Sequence, residues 1–216
     1  QVMKETRQTQ KHLRVVAVDS KGRVVLEPVL DHAIMTAQAN NRAPVVFDSD
    51  SKEVPPKDFA EVASIIGKAI VRVRYRTDGT IDEVLPVPGL EDKLSKDKST
   101  HAFLVVFAGK PIAVGDSWND DFDVLVSITR RLNKKLTIRR RYRLDRVQDG
   151  MAELSFRTYP LSLVKEPQLQ AQLIHRSLSG RVKFDINEGK IIEWSSQGSG
   201  QVFNAVGPRS EMKSTS

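Results

Sequence analysis

Apolar residues recur at every second position in two stretches of this chain. In Ala69–Tyr75, the side chains of Val71, Val73 and Tyr75 share one face, and Arg72, Arg74 and Arg76 share the other. That is the period of a strand with one buried side. Lys134–Asp145 repeats the pattern. Leu136, Ile138, Tyr142 and Leu144 form an apolar face that also takes in Arg140, and Arg139, Arg141 and Arg143 oppose them. Each stretch ends in a turn signal, Asp78-Gly79 or Gln148-Asp-Gly150, followed by a returning strand, Thr80–Leu85 or Met151–Tyr159.

Further hairpins are predicted by β-branched runs around turn residues. Leu13–Val18, the Asp19-Ser-Lys-Gly22 turn and Arg23–Glu27 form one; Gly180–Ile186, Asn187-Glu-Gly189 and Lys190–Trp194 form another. Pro28 cannot donate to a ladder and predicts an edge position or a bulge. Val45–Phe47 is a short strand, Val124–Thr129 a longer one, and Gln201–Phe203 a short edge strand. Gln1–Lys11 is polar and reads as a solvated edge strand or frayed terminus, and Ser210–Ser216 as a tail. Ala102–Ala108 is too short and too apolar for its period to separate strand from buried helix.

Helical periodicity is rarer. Phe59, Val62, Ala63 and Ile66 fall at i, i+3, i+4 and i+7, with Gly67 as a C-terminal stop. A second helix is predicted around Pro167–Arg176 and a short charged one over Leu90–Lys98. In outline each half reads hairpin, helix, hairpin, and Lys110–Trp118 links the halves. The halves run from about 12 to 89 and from about 111 to 203. The expected architecture is α+β: a single domain over residues 1–216, with one large, strongly curved antiparallel sheet, a half-barrel, wrapping one to three helices. Its apolar concave side would offer a place for a ligand.

Composition narrows the chemistry. The chain has 216 residues, 28% charged and 39% hydrophobic, as in soluble globular proteins. There is no cysteine, which removes disulfides, thiolate metal sites and thiol nucleophiles. Four histidines, His12, His32, His101 and His175, are scattered with no metal-binding spacing. Asp116, Asp120, Asp121 and Asp123 form an acidic cluster, but it lacks the glycine and terminal glutamate of a calcium-binding hand and reads as a polar link. There is no nucleophile elbow and no glycine-rich phosphate loop. No metal, cofactor or catalytic set is therefore expected, and the chain reads as a non-enzyme.

The net charge is +7. The candidate site is basic: Arg72, Arg74, Arg76, Arg139, Arg141 and Arg143 form one surface if the two strands are neighbours. Such a surface suits phosphates or lipid head groups. No aromatic residues interleave with these arginines, so nucleic acid is not expected.

Several short segments carry a family resemblance. They are Val46-Phe-Asp-Ser49 before a proline-rich link, Ile66-Gly-Lys68, Asp78-Gly79, Lys110-Pro-Ile with Gly115-Asp-Ser-Trp118, and Gly180 with Phe184-Asp185 and Glu188-Gly189. From about residue 12 onward the chain resembles an uncharacterised family of exported bacterial proteins, best represented in planctomycetes. The resemblance implies a lipoprotein-carrier-like fold and a periplasmic or cell-envelope location. It brings no activity and no site residues. Family members usually begin with a further strand, and a chain opening at Gln1 is expected to be trimmed or mature, its signal peptide removed. Two functions follow as expectations. One is shelter of a lipid or other hydrophobic small molecule in the concave face. The other is a structural or interaction module that meets an anionic envelope surface through its basic face.

Overall fold

A computed structural model describes residues 2–89, 104–129, 132–205 and 207–215. The helix expected over Leu90–Lys98, the start of the Ala102–Ala108 run and His101 lie outside them. The chain divides into two compact units. The N-terminal unit is Lys4–Val106; the C-terminal unit is Phe107–Ser216 together with the first residues up to Met3.

Antiparallel strands dominate both units, as the alternation requires. In the N-terminal unit they are β1 (Val2–Val18), β2 (Val24–Ala39), β3 (Val45–Asp48), β4 (Val71–Tyr75) and β5 (Ile81–Pro86). They pair in the order β1-β2-β4-β5, with β3 also on β2. Between β3 and β4 a 3-10 turn, Lys57–Phe59, runs into helix α1 (Ala60–Ile65). The predicted apolar stripe is the face that packs: Phe59, Val62, Ala63 and Ile66 lie against Ala33, Met35 and Phe47. Gly67 follows with φ of 71°, a left-handed value natural to glycine. Leu26, Val71, Val73 and Tyr75 form a second buried cluster on β2 and β4. Pro28 falls where the β2–β4 ladder breaks, between the Leu26↔Val73 pair and the isolated Val29↔Ala69 bridge.

The C-terminal unit holds β6 (Ser117–Thr129), β7 (Leu132–Gln148), β8 (Met151–Pro160), α2 (Pro167–Leu173), β9 (Ser179–Asp185), β10 (Lys190–Gln197), β11 (Ser199–Phe203) and β12 (Glu211–Thr215). A 3-10 turn at Ile174–Arg176 extends α2 to the predicted end of the helix. Five strands form a sheet in the order β10-β9-β8-β7-β6, and β11 pairs with β12. Leu169 and Leu173 of α2 pack on Val124, Val126, Leu136 and Ile138 of β6 and β7.

The repeat is real in topology. β1-β2-β4-β5 and β7-β8-β9-β10 have the same order, each with a helix between its second and third strands. The expected single sheet is instead two. β4 is flanked by β2 and β5, and β7 by β6 and β8.

Two expected boundaries move. β6 begins at Ser117, so the acidic run expected as a link is strand. Its carboxylates are satisfied across the ladder: Asp121 accepts from Arg139 and Asp123 from Thr137, while Lys135 Nζ lies 2.8 Å from Asp123. The expected C-terminal tail contains β12, which β11 pairs from Ser199↔Thr215 to Phe203↔Glu211.

Candidate anion-binding face

The two arginine stripes are not on neighbouring strands: β4 belongs to one sheet and β7 to the other. Their fates also differ. On β4 and just beyond its end, all three arginines of the first stripe are paired with carboxylates. Arg72 Nε donates to Glu27 at 2.7 Å, Arg74 Nη1 to Glu83 at 2.5 Å and Arg76 Nη2 to Asp82 at 3.0 Å. Glu27 is buried and also accepts from Arg14. Burial pushes its carboxyl upward, but the hydrogen bonds and charges of Arg72 and Arg14 outweigh that and hold it below the ordinary carboxylate value. This stripe stabilises its own sheet.

The face of the five-stranded sheet is built otherwise, and it resolves into rows running across the strands. One outer row is Asp121 and Arg139 with Tyr159. Arg139 holds Asp121 by two hydrogen bonds, 2.7 and 2.6 Å, a fork-to-carboxylate pair. The opposite outer row is Arg146, Glu153, Lys183 and Glu193. It too is matched, Arg146 to Glu153 and Lys183 to Glu193, both at 2.9 Å.

The two rows between contain no carboxylate. The first is Asn119, Arg141, Arg157, Ser179 and Gln197, in direct cross-strand register. The second is Ser117, Arg143, Ser155, Arg181 and Ser195. Every member but the half-buried Ser155 is exposed. The guanidiniums of Arg141, Arg157 and Arg181 make no hydrogen bond or ion pair with any described residue. Arg143 has only the distant Asp145, at 3.6 Å. The result is a cationic band crossing all five strands, with hydroxyls and side-chain amides between its guanidiniums. Two open depressions border it, one touching Ser155, Arg181 and Ser195, the other Arg157, Ser179 and Gln197.

The band depends on two β-bulges. In β7–β8 the register shifts between Leu144 and Arg146, and in β10–β9 between Ile191 and Glu193. Each bulge changes which residues point outward on one strand. Beyond the first, Arg139, Arg141 and Arg143 face the same way as Arg157 and Ser155.

The opposite face of this sheet is aromatic and closed. Trp118 stacks on Tyr142 with centroids 5.4 Å apart; Phe156 lies 6.0 Å from Tyr142 and 5.0 Å from Trp194. Gly180, opposite Phe156, leaves room for that ring: a Cβ there would lie 2.7 Å from two ring carbons. Arg140 stays on the buried face, 8% exposed, its guanidinium 5.3 to 5.8 Å from the rings of Phe122, Phe156 and Trp194. Its ladder partner is Asp120. Burial pushes that carboxyl up, against the pull of Arg140.

A cluster that sequence spacing did not suggest lies on the N-terminal unit. The β2–β3 pairing brings His32 Nε2 to 3.1 Å from Asp48 and 3.4 Å from Asp50. Three groups of metal-ligating type thus lie within 4.8 Å of one another. Both carboxylates are well exposed, and Asp48 already accepts the Asp50 backbone N–H, so closure of the β3 turn accounts for the arrangement.

Of the sequence-predicted residues, Arg141 and Arg143 lie in the band, Arg139 borders it, and Arg72, Arg74 and Arg76 belong to the other sheet. Arg157 and Arg181 were missed. Both occupy outward positions of strands legible in the sequence, but their register to β7 is not. Comparison with protein-family profiles, with curated proteins and with solved structures gives no match.

Proposed function

We propose that this protein is a non-enzymatic interaction module that binds an anionic partner through the band of Arg141, Arg143, Arg157 and Arg181. The observation that carries this reading is the contrast between rows. Cations on both flanks of the band are matched by carboxylates, whereas the central rows themselves hold guanidiniums, hydroxyls and amides, with Asp145 3.6 Å from Arg143 as the nearby acid. Guanidinium groups present a planar fork suited to carboxylate, sulfate and phosphate oxygens. A place in the cell envelope, where anionic surfaces abound, is consistent with the exported-family resemblance.

Shelter of an apolar ligand draws less support. The apolar face of the five-stranded sheet is filled by the chain's own side chains: Tyr142, Ile138, Val124, Val126 and Val182 are at most 1% exposed.

The test is retention on a carboxylate- or phosphate-bearing matrix as salt is raised. The R141Q/R157Q/R181Q variant should elute at markedly lower salt than a control that loses the same charge elsewhere, K21Q/K52Q/K57Q, whose lysines are exposed on the N-terminal unit. Equal elution of the two variants rejects the band as the binding surface.

A further inference from the structure

We infer that the partner is a linear acidic polysaccharide lying across the strands, along the two central rows. This rests on the anion-binding reading and adds the chemical class of the partner.

Three features of the band select this class. The first is shape. The band is two rows wide and five strands long, and strands are about 4.8 Å apart while same-face residues along a strand are about 7 Å apart. It is therefore roughly 19 Å long and about 7 Å wide, closed on either side by ion-paired rows. A single extended chain matches that footprint. A membrane presents a plane of charge, and the matched rows on both flanks would face it without gain.

The second is donor and acceptor balance. Guanidiniums only donate. Ser117, Ser155, Ser179 and Ser195 both donate and accept, as do Asn119 and Gln197. A polyphosphate offers the surface only acceptors, leaving the serine and amide oxygens idle. A polysaccharide with carboxylate or sulfate groups offers charged acceptors for the arginines and hydroxyl donors for those oxygens.

The third is the lack of stacking platforms. Neither row contains an aromatic side chain; Tyr159 stands in the flanking row beside Arg139. Binding of single-stranded nucleic acid draws on such platforms. The spacing of charges is also suited to a polymer. Arg141 and Arg157 are adjacent across one strand gap, and Arg143 and Arg181 are two gaps apart with Ser155 between them. Anionic groups about 5 and about 10 Å apart therefore meet guanidiniums in register.

The experiment measures binding of the whole chain to four probes at matched charge concentration: polygalacturonate, inorganic polyphosphate, single-stranded DNA and vesicles containing anionic phospholipid. Two variants are compared with the wild type, R141Q/R157Q/R181Q and S155A/S179A/S195A. The expected result is tightest binding to polygalacturonate. It should fall by about tenfold or more in the arginine variant, as expected when several ionic contacts are lost, and by severalfold in the serine variant. Polyphosphate binding should be weaker and insensitive to the serine changes. If polyphosphate, DNA or vesicles bind at least as tightly as polygalacturonate and only the arginine variant loses them, the anion-binding reading stands and the polysaccharide is refuted. If neither variant alters binding to any probe, both readings fall. Near-ultraviolet circular dichroism from Trp118 and Trp194 confirms that both variants keep the wild-type fold.

Discussion

Replacing Arg157 by Glu tests the band from the side of stability. Arg157 stands directly opposite Arg141, and neither has a carboxylate partner among the described residues. Directly opposed residues have Cβ atoms about 5 Å apart, and flexible side chains let the two guanidiniums separate to about 7 Å. Two like charges at that distance repel by about 0.6 kcal/mol in a fully aqueous dielectric, and by about two to four times as much near a protein surface. A glutamate at 157 removes the repulsion and substitutes an attraction. Side-chain ordering and solvent screening consume much of that difference, and measured cross-strand charge pairs contribute about 0.2–1 kcal/mol. Arg157→Glu should therefore raise unfolding stability by about 1 kcal/mol at low ionic strength. The gain should fade towards zero near 1 M salt, where the screening length is about 3 Å. Urea unfolding followed by the fluorescence of Trp118 and Trp194 measures it, with Arg157→Gln expected about midway. The same variant should bind polyanions more weakly, so stability and binding move in opposite directions. A variant less stable than the wild type at low salt, or a gain indifferent to salt, refutes the claim that the central rows carry unrelieved repulsion.

Three further outcomes are expected. Gly180→Ala drives a Cβ against the Ser195 carbonyl oxygen and the Phe156 ring; it should lose about 2–4 kcal/mol in guanidinium titration through overpacking and disturbed ring contacts, and a loss below about 1 kcal/mol would contradict the packing described. Glu27→Gln should cost about 2 kcal/mol, since two charge-assisted hydrogen bonds to a buried carboxylate weaken. Glu27 is held below its ordinary value, so its contribution is present above the ordinary carboxylate range and is lost as pH falls through the lower folded value; the gap between wild type and Glu27→Gln should therefore close on acidification below the ordinary carboxylate range, and a pH-independent gap counts against it. Asp120 has the opposite sign: burial raises its folded value, so its charged form weakens the fold as pH rises through that value. Asp120→Asn should stabilise the protein at neutral pH and lose that advantage in acid, which urea unfolding at the two pH values decides.

The alternating strands, the Phe59–Ile66 stripe and the α2 segment were legible because each is a local pattern with one dominant period. The repeat was legible for the same reason. What escaped the sequence was set by pairing. Whether β4 adjoins β7 depends on long-range ladder closure, and β4 instead lies between β2 and β5, β7 between β6 and β8. The acidic run at 120–123 read as a link because carboxylates disfavour strands in isolation; Arg139 and Lys135 on the neighbouring strand reverse that preference. The hairpin turn at Asp149-Gly150 fixes Gln148 opposite Met151, but the bulge at Asp145 then shifts every pair beyond it. That shift places Arg141 opposite Arg157, so half of the band was beyond reach of any reading that assumed a regular ladder. The β8–β9 register, which places Arg181 beside Ser155, crosses the α2 excursion and has no local signal at all.

An arginine stripe is therefore ambiguous until its cross-strand neighbours are known. β4 and β7 offer a direct comparison. β4 and β7 both alternate apolar residues with arginines, and both present those arginines away from their apolar face. β4 is flanked by Glu27 on β2 and by Asp82 and Glu83 on β5, and its positive charge is consumed within the sheet. β7 meets an acid at Asp121, but at Arg141 and Arg143 its neighbours across the ladder are Asn119, Ser117, Arg157 and Ser155. Had stability alone shaped this face, acidic residues at 155, 157 or 181 would have extended the matched rows across it with no change of backbone. Arginine at 157 and 181, with the half-buried Ser155 opposite Arg181, leaves that charge unmatched among the described residues of the sheet. Under the proposed reading, an outside anion would complete at this band the ion pairs that the described residues of the sheet leave open.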